Sequence, residues 1–493
     1  MDQDLSEQHR IRVSKLEQAR ANGYPFPNDV RVDFSCISFR DKIESEAALE
    51  VEQRQVVFLA GRIIAMRLMG KAAFCQLQDA SGAIQFYIRK DDVSEQDFAV
   101  FKELDLGDIV EVSGYAFLTK TGEPTVHLKT IRQLVKCLHP LPEKWHGLAD
   151  VEVRYRQRYL DLIVNPKVRE IFTKRSQIVS YIRRFLEERN YLEVETPVMN
   201  SIASGASARP FTTHHNALDL DLHLRIALEL PLKKLVVGGI ERVFELSRVF
   251  RNEGVSKQHN PEFTMIEFYQ AYATYEDLMS LTESLIVGLC DKVVGSRTLI
   301  FGEREINFAP PWRRLTMCDA VHEFANIASS VNLQTLDGCL AAAKQLGFED
   351  LKEFTDSGKI LFEIYDRVVE DKIVNPTFIT QFPKVVSPLA RPNTSNPDFV
   401  DRFELIVSGM ELANAFSELN DAIDQRERME EQSKAKLAGD QEAMELDEDF
   451  ITALEYGLPP TAGEGIGIDR LVMLLTNSSS IREVILFPTL RPR

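Results

Sequence analysis

Between Val56 and Val135 apolar residues recur at every second position in short runs. Ala73, Cys75 and Leu77 alternate with Phe74 and Gln76, and Ile84, Phe86 and Ile88 alternate with Gln85, Tyr87 and Arg89. The runs break at Gly61, Gly70, Ser81-Gly82, Gly107-Asp108 and Thr121-Gly122. Strands this short, spaced this regularly, predict a small closed barrel. Residues 1–50 read as a polar lead-in, helical over Gln8 to Arg20 and ending near Tyr24-Pro25-Phe26-Pro27. Leu138 to Trp145, with Pro140 and Pro142, reads as a linker.

Further on the period lengthens. Arg156 to Leu186 has helical spacing, and Tyr191 to Val198 reads as a strand closing at Pro197. The remainder mixes strands and helices without repeating βαβ units, which predicts an antiparallel sheet flanked by helices, an α+β fold. The expected organisation is a lead-in over 1–50, a barrel over 51–137, a linker over 138–165 and a second domain over 166–493. The acidic stretch Gln425 to Asp449 is expected to be a solvated helical excursion.

At 493 residues the chain is long enough for two or three domains, each with its own core. Its polar, acidic N-terminus and the absence of a long apolar run predict a protein with no secretory signal and no membrane span. Six scattered cysteines without a C-x-x-C pair predict reduced thiols and a cytoplasmic location. A net charge of −17 argues against indiscriminate polyanion binding but leaves room for a local basic face.

Two segments hold the candidate chemistry. Phe250-Arg251-Asn252-Glu253 is followed by His259-Asn260-Pro261-Glu262-Phe263, after which alternation sets Phe263, Met265, Glu267 and Tyr269 on one face. A strand over Arg242 to Glu253 would place Arg251 and Glu253 together, and a hairpin would join the two sets. A guanidinium fork and an aromatic face suit phosphate and adenine. The simpler alternative is a surface ion pair beside a core Phe.

The second segment shifts that balance. In Gly463-Glu464-Gly465-Ile466-Gly467-Ile468-Asp469-Arg470 the glycines recur at period two, leaving one strand face bare for a flat ligand. Arg470 then falls near a helix N-terminus, where phosphate is favoured. Neither a dinucleotide fingerprint nor a Walker A pattern is present.

These segments resemble motifs 2 (242–270) and 3 (463–476) of class II aminoacyl-tRNA synthetases. Phe185 to Pro197, within 180–198, resembles motif 1, which builds the dimer interface in that family; a homodimer is therefore implied. The stretch Met410 to Asp421 resembles bacterial-type lysyl-tRNA synthetases. An acidic pocket suits a cationic substrate, whereas aspartate would need an Arg or Lys.

By that resemblance Arg251 and Arg470 are the catalytic residues. Arg251, Glu253, His259, Asn260, Phe263, Glu411 and Arg470 would bind ATP. Gly205, Glu229, Arg251, Glu267, Tyr269, Asn414, Phe416 and Glu418 would bind L-lysine. Glu404 and Glu411 would hold Mg2+ with the phosphates, since acidic clusters at a triphosphate are otherwise repulsive. The barrel resembles the OB-fold anticodon domain, with Arg67, Phe74 and Gln85 on the U-rich anticodon of tRNA(Lys).

The sequence departs from the family at four places. Gln258 stands where a basic residue is usual, which leaves one outer-phosphate contact without its customary side chain. Leu228 replaces a proline, and Ala413 and Ala415 replace glycines. Two other readings fit part of the pattern: a ligase lysylating a protein such as elongation factor P, whose relatives generally lack the barrel, and a catalytically silent nucleic-acid-binding synthetase fold.

Overall fold

The computed structural model describes residues 2–23, 26–142, 148, 150–439 and 443–492. Tyr24-Pro25 at the end of the lead-in, linker residues 143–147 with Trp145, and positions 440–442 of the acidic stretch lie outside the described residues. The chain divides into two compact units, Met1–Arg154 with Tyr159–Pro166, and Tyr155–Arg158 with Lys167–Arg493.

The first unit contains the expected barrel. Strands β1 (Val57–Met69), β2 (Ala72–Gln78), β3 (Ala83–Arg89), β4 (Ile109–Leu118) and β5 (Pro124–Val135) close in the order β1-β2-β3-β5-β4. Closure removes the exposed edges that an open sheet of such short strands would present. Inward-facing Ala73, Cys75, Leu77, Ile84, Phe86 and Ile88 are all buried, as the alternation requires. The lead-in is a longer helix than its apolar spacing suggested, α1 (Asp2–Ala21). It is tied to the barrel's end by Arg12, whose Nη1 donates to the carbonyls of Leu106 (3.0 Å) and Cys137 (2.9 Å).

The second unit is built on an eight-stranded sheet. Its strands are β6 (Leu192–Glu193), β7 (Arg242–Phe250), β8 (Glu262–Ala271), β9 (Arg313–Thr316), β10 (Thr377–Pro383), β11 (Phe399–Val407), β12 (Met410–Ser417) and β13 (Thr461–Gly467), in the order β9-β10-β11-β12-β13-β8-β7-β6. The six central strands are antiparallel and the two outermost pairings are parallel. Behind the sheet, Phe268, Phe403, Ala413, Ala415 and Ile466 pack against helices α2 (Pro166–Glu187) and α3 (Tyr275–Leu289) in one apolar core. Alternate side chains of the strands around β13 enter that core and leave the others on the opposite face, while Ile379, Phe382, Val400 and Ile406 join a second core.

Three local expectations are corrected. The helical stretch from Arg156 is interrupted at Asn165-Pro166, because proline lacks the N–H of a helix interior and instead opens α2. The strand expected over Tyr191 to Val198 shrinks to β6. There Thr196 spends its N–H and hydroxyl on Oε2 of Glu245 (3.0 and 2.7 Å), and Pro197 has no N–H to give a ladder. The acidic excursion is not free: in the helix Ala422–Leu437, Gln425, Arg428 and Met429 are buried, and Arg428 donates to the Ala390 carbonyl at 3.0 Å.

Candidate active site

The register of the sheet assembles the floor of the site. Across four strands, Glu267 lies opposite Gly465, Gly465 opposite Asn414, and Asn414 opposite Glu404. The adjacent row runs Tyr269, Gly463, Phe416, Arg402. The period-two glycines therefore leave a bare lane between two walls of functional side chains. A Cβ at Gly463 would overlap the Tyr269 ring and Oε1 of Glu418, so that position is closed to any larger residue. Ala413 and Ala415 point to the core behind, so the substitution of glycine there adds its methyls away from the ligand face.

This lane is the base of a cavity of about 440 Å³ lined by Gly205, Glu229, Arg251, Glu253, Gln258, His259, Asn260, Phe263, Glu267, Tyr269, Glu411, Asn414, Phe416 and Arg470. The β7–β8 hairpin forms as expected, but β7 ends at Phe250. Arg251 and Glu253 lie beyond the ladder, in a turn closed by Arg251 N–H to the Pro261 carbonyl (2.8 Å) and Glu253 N–H to the Arg251 carbonyl (2.9 Å). Both still face the cavity.

At one end of the cavity stand the cations. The Arg251 guanidinium carbon is 5.2 Å from the Phe263 ring centroid, and its Nε donates weakly to the Ile226 carbonyl (3.3 Å). Burial lowers its pKa, and the negative charges of Glu253, Glu411 and Glu267 oppose that shift. Arg470 lies in the first turn of α4 (Ile468–Thr476), with Asp469 beside it anchored to Thr264 N–H (2.6 Å) and Arg175 (2.5 Å). Arg470 donates to the Glu411 carbonyl at 2.8 Å and to Nε2 of His259 at 3.2 Å. Burial and then Arg470 depress the His259 pKa, so the imidazole is neutral and its Nε2 accepts. Asn260 is in the wall, but its amide is already used: Nδ2 donates to the Glu262 carbonyl (2.7 Å) and Oδ1 accepts from Thr489 N–H (3.2 Å).

At the other end the carboxylates converge. Glu267 accepts from Leu228 N–H (2.9 Å) and the Tyr269 hydroxyl (3.0 Å), yet burial and the neighbouring Glu229 push it up to about 7. Glu229 begins a buried helix, α5 (Glu229–Val237), and its pKa is raised by burial against the opposing pull of Lys233. Glu418 sits just behind Gly463, 2% exposed and raised well above the ordinary carboxyl range by burial. Its Oε1 accepts no hydrogen bond among the described residues. A buried acceptor left open carries a large penalty unless a ligand donor fills it.

Glu411 lines the cavity beside Arg470, whereas Glu404 is buried outside the lining and paired with Arg402. Burial, with Glu411 and Glu370, lifts Glu404 to about 8 against its 2.5 Å pairing with Arg402. Such a carboxylate cluster fits a cation. Among the described residues no group of three or more His, Cys, Asp or Glu side chains can hold an ion alone. Mg2+ takes one or two carboxylates and completes its shell with phosphates and water, and Glu411 is the carboxylate of this pair that reaches the cavity.

Sequence reasoning missed Lys233, Arg402, Glu370 and the wall segment Val386 to Ala390. Lys233 had a readable signal, four residues after Glu229 on a helix. Glu370 and the wall segment had none, because tertiary packing alone brings them in.

On the barrel, Arg67 lies opposite Phe74, and Phe74 opposite Tyr87. The Phe74 and Tyr87 rings are 4.9 Å apart, and Tyr87 also meets Phe117 and His127. Gln85 is half-buried, its Oε1 accepting from the Thr125 hydroxyl at 2.8 Å. Rings grouped beside an exposed Arg67 form a surface on which bases can stack.

Comparison with known proteins agrees with both units. Residues 57–134 match the OB-fold nucleic acid binding domain, and residues 150–491 match the class II tRNA synthetases (D, K and N). The chain is 52% identical to a lysine–tRNA ligase of Syntrophomonas wolfei over 99% of its own length and 98% of that protein. It is 51% identical to the heat-inducible lysine–tRNA ligase of Escherichia coli K12 and to a lysine–tRNA ligase of an Enterobacter strain, over 99% of this chain and 97% of each relative. With its glycine lane, its paired arginines and this full-length likeness, the chain belongs to the class II tRNA synthetases.

Proposed function

We infer that this enzyme is a lysine–tRNA ligase: it activates L-lysine with ATP and passes the lysyl group to the 3′ end of tRNA(Lys). The observation that supports it most is a cavity lined by Glu229 and Glu267 together with Arg251 and Arg470, with Glu418 buried just behind its Gly463 wall and joined to Glu229 through Lys233. A diamino acid has two ammonium groups for such a pocket and a carboxylate for a guanidinium. Aspartate and asparagine, the other substrates of this group, offer no side-chain cation.

In the first step a lysine carboxylate oxygen attacks the α-phosphorus of ATP. A new P–O bond forms, the bond to the bridging oxygen breaks, and pyrophosphate leaves. No protein nucleophile is needed, so catalysis is positioning and charge stabilisation. Arg251 grips the α-phosphate and the substrate carboxylate together, as a planar fork allows. Phe263 stacks on adenine, while Glu253 orients Arg251 and the base end. Arg470, fixed by Glu411, and neutral His259 receive the outer phosphates. Asn260 contributes by pinning the loop. Mg2+ held by Glu404 and Glu411 would neutralise phosphate charge. Gly205, Glu229 and Glu267 surround the α-amino end, and Tyr269, Asn414, Phe416 and Glu418 the side chain. In the second step the tRNA's terminal ribose hydroxyl attacks the lysyl carbonyl and AMP leaves.

Arg67, Phe74 and Gln85 contact the anticodon. The division at 51–137 and 166–493, pairing of two copies through 180–198, and a cytoplasmic location complete the reading. Among the described residues no helix is long and apolar enough to cross a membrane.

The test is ATP–pyrophosphate exchange with each of the twenty amino acids, followed by charging of tRNA. Exchange with lysine and lysyl transfer to tRNA(Lys) are expected. Exchange with lysine but transfer to a protein instead would favour the protein-lysylating alternative, and no exchange with any amino acid would favour the silent fold.

A further inference from the structure

One member of the acidic end is a base. Lys233, on α5, is fully buried, and its ammonium bridges two carboxylates: Oε1 of Glu229, one helical turn before it, at 2.5 Å, and Oε2 of Glu418. The rings of Phe416 and Phe450 lie 5.4 and 5.7 Å from its Nζ, so water is kept away. The other charged or titratable groups facing this cluster are Glu267 and Tyr269 on β8 and Arg402 on β11. Arg402 is already committed to Glu404 and Asn414.

Burying a lone ion pair in this way gives little stability, because desolvation offsets the attraction. The arrangement has another consequence. With all three carboxylates ionised around a bound lysine, they and one ammonium leave the pocket with two net negative charges, and lysine brings two ammonium groups. We propose that Lys233 is a positioning and specificity-determining residue that fixes the charge of the amino-acid pocket to match a diamino substrate, holding Glu229 and Glu418 oriented with Oε1 of Glu418 open. Without it, three buried carboxylates would crowd one another and one would take up a proton, since like charges at close range cannot all ionise. Burial lowers the Lys233 pKa, but Glu229 and Glu418 outweigh it and leave the group above its usual value, so it stays charged.

This inference rests on the lysine-ligase reading and is tested within it by steady-state pyrophosphate exchange. Lys233→Met leaves the pocket with three negative charges, Glu418→Gln with one, and the double variant with two again. Lys233→Met should raise the KM for lysine, leave that for ATP unchanged, and worsen as pH rises and the compensating proton is lost. Its preference for lysine over the uncharged hydroxyl isostere of lysine should narrow.

The decisive comparison is the double variant against Glu418→Gln. Removing Lys233 from that background should lower the lysine KM by at least about threefold, the coupling expected between neighbours. An equal or higher KM overturns the proposal, as does a double variant that fails to fold when Glu418→Gln folds, since Lys233 would then be purely structural. The comparison survives even if Lys233→Met alone does not fold. Wild-type enzyme that exchanges with an amino acid other than lysine would overturn the ligase reading itself, and this inference with it.

Discussion

Leu228 donates its backbone N–H to Oε1 of Glu267 across 2.9 Å, and both residues are buried. A proline at this position would have no N–H to give, so Leu228 supports the central carboxylate with a donor that an imino acid could not supply. Hydrogen bonds to charged groups contribute about 1.5–3 kcal/mol. Leu228→Pro should therefore raise the Glu267 pKa above its value of about 7 and raise the lysine KM roughly tenfold at neutral pH. The ATP KM should not move. Exchange kinetics across pH check this, and an unshifted lysine profile would refute the role of that N–H.

The pH dependence of stability follows from the same carboxylates. Burial raises Glu267 and Glu370 to about 7 and Glu404 to about 8, all above their unfolded value. A carboxyl raised on folding contributes stability that is present below its unfolded pKa and is lost as pH climbs through the folded one. The ligand-free protein should accordingly melt lower at about pH 8 than at about pH 6. Lysine binds the ionised form and should raise the melting temperature more at the higher pH. Thermal melts with and without lysine decide it; a ligand-free protein more stable at the higher pH would contradict the account.

The glycines of β13 should not be equivalent. A Cβ at Gly463 would overlap Tyr269 and Glu418, whereas at Gly467 the nearest heavy atoms are 3.9 Å away. Gly463→Ala should displace the Tyr269 ring, break its bond to Glu267, lower the melting temperature and raise the lysine KM. Gly467→Ala should fold as wild type, with any loss confined to the ATP KM. Equal melting temperatures for the two variants would count against the close packing.

On the barrel, Phe74→Ala should leave pyrophosphate exchange intact and weaken tRNA. Stacking on an aromatic is worth about 1–3 kcal/mol per base, so the tRNA KM should rise by roughly 5- to 150-fold. Charging kinetics with tRNA(Lys) would show it, and an unchanged tRNA KM would remove Phe74 from the interface.

The sequence was most readable where a local repeat decides the structure. Alternation placed Phe263, Met265, Glu267 and Tyr269 on one face, and the glycines beside them, because side-chain direction in a strand depends on the residue's own position. Arg251 was legible as a residue but not as geometry, since the turn that carries it is closed by a carbonyl ten positions away, that of Pro261. Thr196 looked like strand and is not, because Glu245 competes for its backbone. Glu418 was assigned to the pocket by resemblance, while its partner Lys233 escaped notice. The pairing joins a helix and the residue after a distant strand, which tertiary packing brings together. Residues chosen by tertiary electrostatics leave no periodic trace.

The central claim is that buried carboxylates receive the substrate's side-chain ammonium while Arg251 holds its carboxylate beside ATP. A crystal structure with L-lysine and a non-hydrolysable ATP analogue tests this most directly. The account predicts the ε-ammonium within about 3 Å of Oε1 of Glu418 or of the Tyr269 hydroxyl, with the α-ammonium beside Glu267. An ε-ammonium in solvent, with Glu229, Glu267 and Glu418 all beyond about 4 Å of either amine, would contradict it.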